Sequence, residues 1–161
     1  MTQTTMEVTV KEIMTPNVIT VFPQTGVDEV ARLLYAHRIS GMPVVDESGA
    51  LLGIVSEFDV ISKKGRTAAD IMSRDVISVL EDALAEQVAG ILTERNVRRV
   101  PVVAEGRLVG IVSRSDLVRL FSITRWACPD CGYFVRGFHR PDACEMCGST
   151  AIELQRDPPG M

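Results

Sequence analysis

Gly53-Ile54-Val55-Ser56-Glu57-Phe58-Asp59 returns as Gly110-Ile111-Val112-Ser113-Arg114-Ser115-Asp116, and this repetition decides the fold. Working outward, Pro43-Val44-Val45 returns as Pro101-Val102-Val103, and Ile13-Met14-Thr15 as Ile71-Met72-Ser73. The offset is 58 residues from Ile13/Ile71 through Pro43/Pro101, then 57 at Gly53/Gly110 and Asp59/Asp116. One residue is lost in the turn at Asp46-Glu47-Ser48-Gly49, where a structural repeat tolerates a deletion. A duplicated unit implies two similar halves able to pack about a pseudo-twofold axis, with paired clefts between them.

Each half reads as β-α-β-β-α, which makes the chain α/β (α+β). Val18-Ile19-Thr20-Val21 is β-branched and bounded by Pro16-Asn17 and Pro23, the pattern of a short strand. Val27, Val30, Ala31 and Leu34 then fall at helical spacing, with Asp28 and Glu29 in the first turn, where the dipole favours acids. Pro43-Val44-Val45 and Leu51–Val55 are predicted strands, and a second helix starts near Glu57. The second half repeats the order: strand Val76–Val79, helix Leu84–Asn96, strands Val102–Ala104 and Leu108–Val112, and a helix from Arg114. Lys63-Lys64-Gly65-Arg66 reads as a linker. The expected boundaries are 8–64 for the first repeat, 65–122 for the second, and 124–156 for a small cysteine-bearing domain.

The 161 residues carry a net charge of −4, which argues against a general nucleic-acid binder. The charge is uneven: the second repeat is rich in arginine and the first is acidic. Met1-Thr2-Gln3-Thr4-Thr5 has neither a basic start nor an apolar stretch, and no apolar run approaches the roughly 18 residues of a membrane span. A cytoplasmic protein with no membrane partner is expected.

The tandem order I-M-T/S, h-P-V-V, G-I-V-S-x-x-D resembles a pair of cystathionine-β-synthase (CBS) domains, the Bateman module, over residues 8–122. Read by themselves, Ser56 with Asp59 and Ser113 with Asp116 are capping boxes, in which serine caps the helix and aspartate reaches back to the cap N–H. The resemblance implies that the aspartate also holds the ribose hydroxyls of an adenosine ligand, and that adenine lies on the first strand of the opposite repeat. One cleft then combines Thr15, Val18 and Ile19 with Arg98, Arg99, Ile111, Ser113, Ser115 and Asp116. Its mirror combines Ser73, Val76 and Ile77 with Ile39, Ser40, Ser56 and Asp59.

The repeats differ where this matters. Glu57 stands opposite Arg114, and Ser40-Gly41 opposite Arg98-Arg99. Arginine's planar fork matches phosphate oxygens, and a helix N-terminus favours anions. Arg98-Arg99 also suits a solvated helix end, although the resemblance implies a basic pair against nucleotide phosphates. The expectation is an AMP, ADP or ATP type ligand at Asp116. The Asp59 cleft is expected to be weaker, empty, or suited to an uncharged adenosine derivative. His37, near a helix end, lacks the nucleophile and orienting acid of a catalytic site, so no enzymatic activity is expected.

Cys128-Pro129-Asp130-Cys131-Gly132 and Cys144-Glu145-Met146-Cys147-Gly148 are the only cysteine-bearing segments. Each C-x-x-C-G turn aims two thiolates at one point, and the glycine permits a backbone that directs N–H groups at sulfur. Four such ligands close a tetrahedron around a structural metal. The segment resembles a zinc ribbon or a rubredoxin-like domain. Zinc is favoured with iron as the alternative, since both accept four thiolates, and two disulfides are the remaining possibility. Trp126, Tyr133, Phe134 and Phe138 read as ribbon packing, or as a docking face with Arg136 and Arg140.

These readings converge on a regulatory, homodimeric adenine-nucleotide sensor whose ribbon relays its state or docks an unidentified protein target. The alternatives are a nucleotide-gated rubredoxin-like iron electron carrier and nucleic-acid binding through the ribbon.

Overall fold

The computed structural model describes residues 8–157; the reading of Met1–Thr5 lies outside them. In chain order the elements are α1 (Val10–Ile13), α2 (Val27–His37), β1 (Gly41–Val45), β2 (Leu51–Ser56), α3 (Glu57–Ser62), α4 (Ala68–Ile71), β3 (Val79–Leu80) and α5 (Ala85–Glu94). They continue with β4 (Arg99–Ala104), β5 (Arg107–Ser113), α6 (Arg114–Ile123), β6 (Thr124–Ala127), β7 (Phe134–Val135) and β8 (Glu153–Arg156). The mixed α/β class is as expected. Two compact units interleave along the chain. A first-repeat unit holds Met14–Glu81 and Val100–Ile111, and a second-repeat unit holds the described residues up to Ile13, Asp82–Arg99 and Val112 onward.

In the first-repeat unit the apolar stripe of α2 buries Val30 and Leu34 against Val21, Met42, Val44, Val55, Ala68, Ile71 and Met72. β1 pairs antiparallel with β2 from Gly41↔Ser56 to Val44↔Gly53, with a bulge before Val45. The turn between them is held by Asp46, whose Oδ1 accepts from the N–H groups of Ser48 (2.9 Å) and Ala50 (3.0 Å). β3 pairs parallel with β4, Val79 opposite Val102, in a three-stranded sheet ordered β3-β4-β5.

The strand expected over Val18–Val21 is reduced to one bridge, Val21 to Val44. The reason is geometric: Thr15 pairs with Ile111 of β5 and Val21 with β1, so the intervening residues cross from one ladder to another. The second repeat behaves alike. Ser73 pairs with Ile54, and the strand expected at Val76–Val79 begins only at Val79. The Lys63–Arg66 stretch is also more than a tether, because Val27 N–H donates to Arg66 O (2.9 Å) and Arg66 N–H to Asp70 Oδ2 (2.9 Å).

In the second-repeat unit the N-terminal segment is tied to the start of α5. Ala85 N–H donates to Val8 O (2.8 Å) and Val10 N–H to Ala83 O (2.7 Å), burying Val8 and Val10. β6 follows α6 without a linker and is the centre of a β7-β6-β8 sheet. Trp126, opposite Val135 and Leu154, is buried with Cys128, Cys144 and Ile152, and its Nε1 donates to Gly137 O (3.1 Å).

Candidate functional site

The first-repeat cleft is built where β2 runs into α3. Ser56 has extended backbone and caps the helix, while Asp59 at the third helical position completes a capping box. Asp59 Oδ2 accepts from Ser56 N–H (2.9 Å) and Ser56 Oγ–H (3.0 Å), and its Oδ1 lies 2.7 Å from Lys63 Nζ. The Ile71-Met72-Ser73 segment lies against β2: Ile54 N–H donates to Ser73 O (3.0 Å) and Ser73 N–H to Ile54 O (2.8 Å). Glu57 N–H donates to Ser40 O (2.9 Å), which brings the loop after α2 to the same helix start. Ser40, Ser56, Asp59 and Ser73 therefore gather around the end of β2. Ile39 packs against the core, while Val76 and Ile77 are half-buried in the stretch that leads to β3.

The glycines explain why the G-I-V-S motif begins as it does. A Cβ at Gly53 would stand 2.6 Å from Ser73 O and 2.9 Å from Met72 Sδ, and one at Gly110 would collide with Met14 Sδ and sit 3.1 Å from Thr15 O. The bare backbone lets the Ile-Met-Thr/Ser segments approach, with Thr15 and Ile111 exchanging N–H···O bonds of 2.9 and 3.1 Å.

The second-repeat motif has the same box and different surroundings. Asp116 Oδ2 accepts from Ser113 N–H (2.8 Å) and Ser113 Oγ–H (3.1 Å), and the Ser113 and Ser115 hydroxyls lie 2.8 Å apart. Arg114 Nη2 donates to Asn96 Oδ1 (3.3 Å), so a residue just past the end of α5 orients the arginine at the start of α6. Asn96 has φ of 51°, in the left-handed region that asparagine tolerates. This contact was not anticipated from the sequence; the αL-prone residue at a helix end was its only signal. Arg98 is exposed and Arg99 half-buried at the head of β4, and Asp116 is half-buried whereas Asp59 is buried. The residues expected around Asp116 are divided between the units: Arg98, Arg99, Ser113, Ser115 and Asp116 in one, and Thr15, Val18, Ile19 and Ile111 in the other. Ile19 packs against the first-repeat core, and Val18 faces a depression lined by Thr20, Val45, Gly49, Leu108 and Val109.

The four cysteines form a second candidate site. Their Sγ atoms all lie within 4.8 Å of one another. No disulfide joins them: Cys128 Sγ is 3.5 Å from Cys147 Sγ and Cys131 Sγ 3.6 Å from Cys144 Sγ, against about 2.05 Å for a bonded pair. Four sulfurs at about 2.3 Å from one ion stand roughly 3.8 Å apart, so the set fits one tetrahedral metal. The turns match: Gly132 N–H bonds Cys128 O (2.9 Å) and Gly148 N–H bonds Cys144 O (2.8 Å), with φ of 80° and 77° at the two glycines. The Cys147 and Met146 N–H groups bring the Cys144 thiol down to about 7. Cys147, although the Ser149 N–H favours its thiolate, is pushed up to about 12 by the Cys128 sulfur beside it. Four thiolates repel at this range unless a cation sits among them. The proposed docking face is largely used internally: Arg140 Nη2 bonds Thr150 O (2.9 Å) and Ile152 O (3.1 Å), and Arg136 bonds Thr124 O (3.2 Å) and Asp157 (3.3 Å). Trp126 is buried, while Phe134 is exposed beneath the guanidinium of Arg125.

Comparison with known proteins matches the CBS domain to residues 10–65 and 68–123. L-Aspartate semialdehyde sulfurtransferase of Methanocaldococcus jannaschii is 37% identical over 116 residues, covering 70% of this chain and 23% of the relative. The chain thus spans about a quarter of that relative's length. Among solved structures, CBSX2, an Arabidopsis thaliana protein, in complex with AMP has a TM-score of 0.67 at 34% identity, over 70% of this chain and 94% of that one. The CBS domain pair of MJ0100 in complex with 5′-methylthioadenosine and S-adenosyl-L-methionine has a TM-score of 0.66 at 36% identity, over 72% and 97%.

Proposed function

We propose that this chain, which belongs to the CBS domain family, is a non-enzymatic regulatory protein that binds an adenosine phosphate at its second repeat and carries one structural zinc in its ribbon. The observation that carries the reading is the paired Ser/Asp capping box at the end of each repeat's last strand, with Arg114, Arg98 and Arg99 present only in the second. Asp116 receives the ribose hydroxyls, the start of α6 and the arginines receive phosphate, and the mirror cleft has Glu57 in the place of Arg114. The AMP bound by CBSX2 and the adenosine derivatives bound by the MJ0100 pair support this ligand class. Thiols kept reduced for metal suit a cytoplasmic setting, and no described helix is long and apolar enough to cross a membrane.

A homodimer accompanies the reading. Ile61 on α3 and Val118 on α6 occupy equivalent positions, and both are exposed, as is Phe58 on α3. Apolar residues repeated on the outer helical faces suit self-association. The ribbon then relays the ligand state or docks a protein target.

Isothermal titration of the full chain with AMP, ADP, ATP, adenosine and S-adenosylmethionine tests the proposal. Asp116→Ala abolishes the heat of adenylate binding. No heat from any of the five overturns the ligand class, and undiminished affinity in the Arg98→Ala/Arg99→Ala double variant overturns the phosphate contact. Native mass spectrometry of the same protein reports one metal per chain and two chains per particle.

A further inference from the structure

Among the positions at which the two repeats differ, one lies just past the motif aspartate. Four residues after the motif aspartate the first repeat has Lys63, and the second has Leu120, which is buried. Lys63 Nζ stands 2.7 Å from Asp59 Oδ1 and donates to Ile71 O at 3.1 Å. The lysine therefore joins α3 to the Ile71-Met72-Ser73 segment, which forms the facing wall of the first-repeat cleft through the Ser73–Ile54 bonds.

The acceptor count at Asp59 gives this its consequence. A carboxylate offers about four lone-pair sites. Ser56 N–H and Ser56 Oγ–H take two on Oδ2, Lys63 takes one on Oδ1, and the Asp59 side chain is only 5% exposed. A ribose cis-diol donates two hydroxyls, and at most one shielded site is left for them. The ammonium is also charged, which strengthens its bond to the carboxylate relative to one from a neutral hydroxyl.

We propose that Lys63 is an internal occupant of the first-repeat ribose site, a latch that closes the Asp59 cleft to adenosine ligands and confines binding to one nucleotide per chain. The inference rests on the reading that adenylate binds at Asp116. The conservative replacement Lys63→Arg keeps the latch. Lys63→Leu installs the residue found in the second repeat, removes the cation and frees Oδ1, while Lys63→Met removes the charge and keeps the stem that covers apolar surface.

The test is AMP titration calorimetry of the full chain, with thermal melting to verify folding of each variant. Wild type and Lys63→Arg bind one AMP per chain. Lys63→Leu, or Lys63→Met should the former fold poorly, binds two, and the Asp116→Ala/Lys63→Leu double variant, unlike Asp116→Ala alone, regains one. Two sites in the wild type, or no site regained in the double variant while wild type binds one, overturns the latch and leaves the reading of Asp116 intact. Weaker binding in Lys63→Leu would make Lys63 a phosphate ligand and equally overturns the latch. A wild type that takes up no AMP overturns the underlying reading and the latch with it.

Discussion

Gly53 and Gly110 carry information that a motif comparison treats as mere identity. Each lies under the Ile-Met-Thr/Ser segment paired with its strand, and the space for a Cβ is taken by backbone carbonyl and methionine sulfur. Gly53→Ala must push Ser73 O aside, and overpacking of this kind costs about 1–3 kcal/mol. Thermal melting is expected to show a lower midpoint for Gly53→Ala, while alanine at Gly90, which meets nothing within 4 Å, should leave the fold intact. Asp59 and Asp116 show the opposite limit of motif reading. The capping role follows from Ser-x-x-Asp spacing alone and is found in both repeats. Lys63, the partner of Asp59, is a generic lysine in a polar stretch until the fold brings its ammonium to the carboxylate.

Helices were legible where a periodic stripe and acidic first turn coincide, as in α2, because both are local properties of consecutive residues. Short strands were not, since a strand needs a partner and the partner is distant in sequence. Val18–Val21 has β-branched composition, yet only Val21 finds a ladder position. The short helix α4 escaped notice because four residues give no periodicity. Its stability comes from Asp70, whose Oδ2 accepts from Arg66 N–H (2.9 Å) and Thr67 N–H (3.0 Å) and whose pKa is thereby held below the ordinary 3.8. A carboxylate with a depressed folded pKa stabilises above its unfolded value, and the contribution disappears as pH falls through the folded one. Asp70→Ala is therefore expected to melt below wild type at pH 7, and the two melting curves to converge as the pH falls below 3.8 and through the lowered folded value.

The molecule joins a CBS pair to a four-cysteine segment whose core contains the single tryptophan, Trp126, packed with Cys128 and Cys144. Metal binding at a four-thiolate site is worth on the order of 10 kcal/mol, enough to stabilise a segment too small for its own core. Chelation, or Cys144→Ser, should expose Trp126 and red-shift its fluorescence, and acidification should do the same because protons compete with the metal for sulfur. A shift absent on complete metal removal would mean that the ribbon folds without the ion. Ultraviolet-visible spectra separate the metals, since ferric tetrathiolate absorbs in the visible and zinc does not.

The duplication, the two capping boxes and the four-thiol site are written in the chain, because each depends on residue types at short fixed spacings, or on one segment repeating another. The interleaving of the two units, the crossing of Val18–Thr20 between ladders, and the closure of Asp59 by Lys63 arise only on folding. They depend on which distant segment reaches a given hydrogen-bond donor or acceptor, and spacing along the chain does not encode that distance.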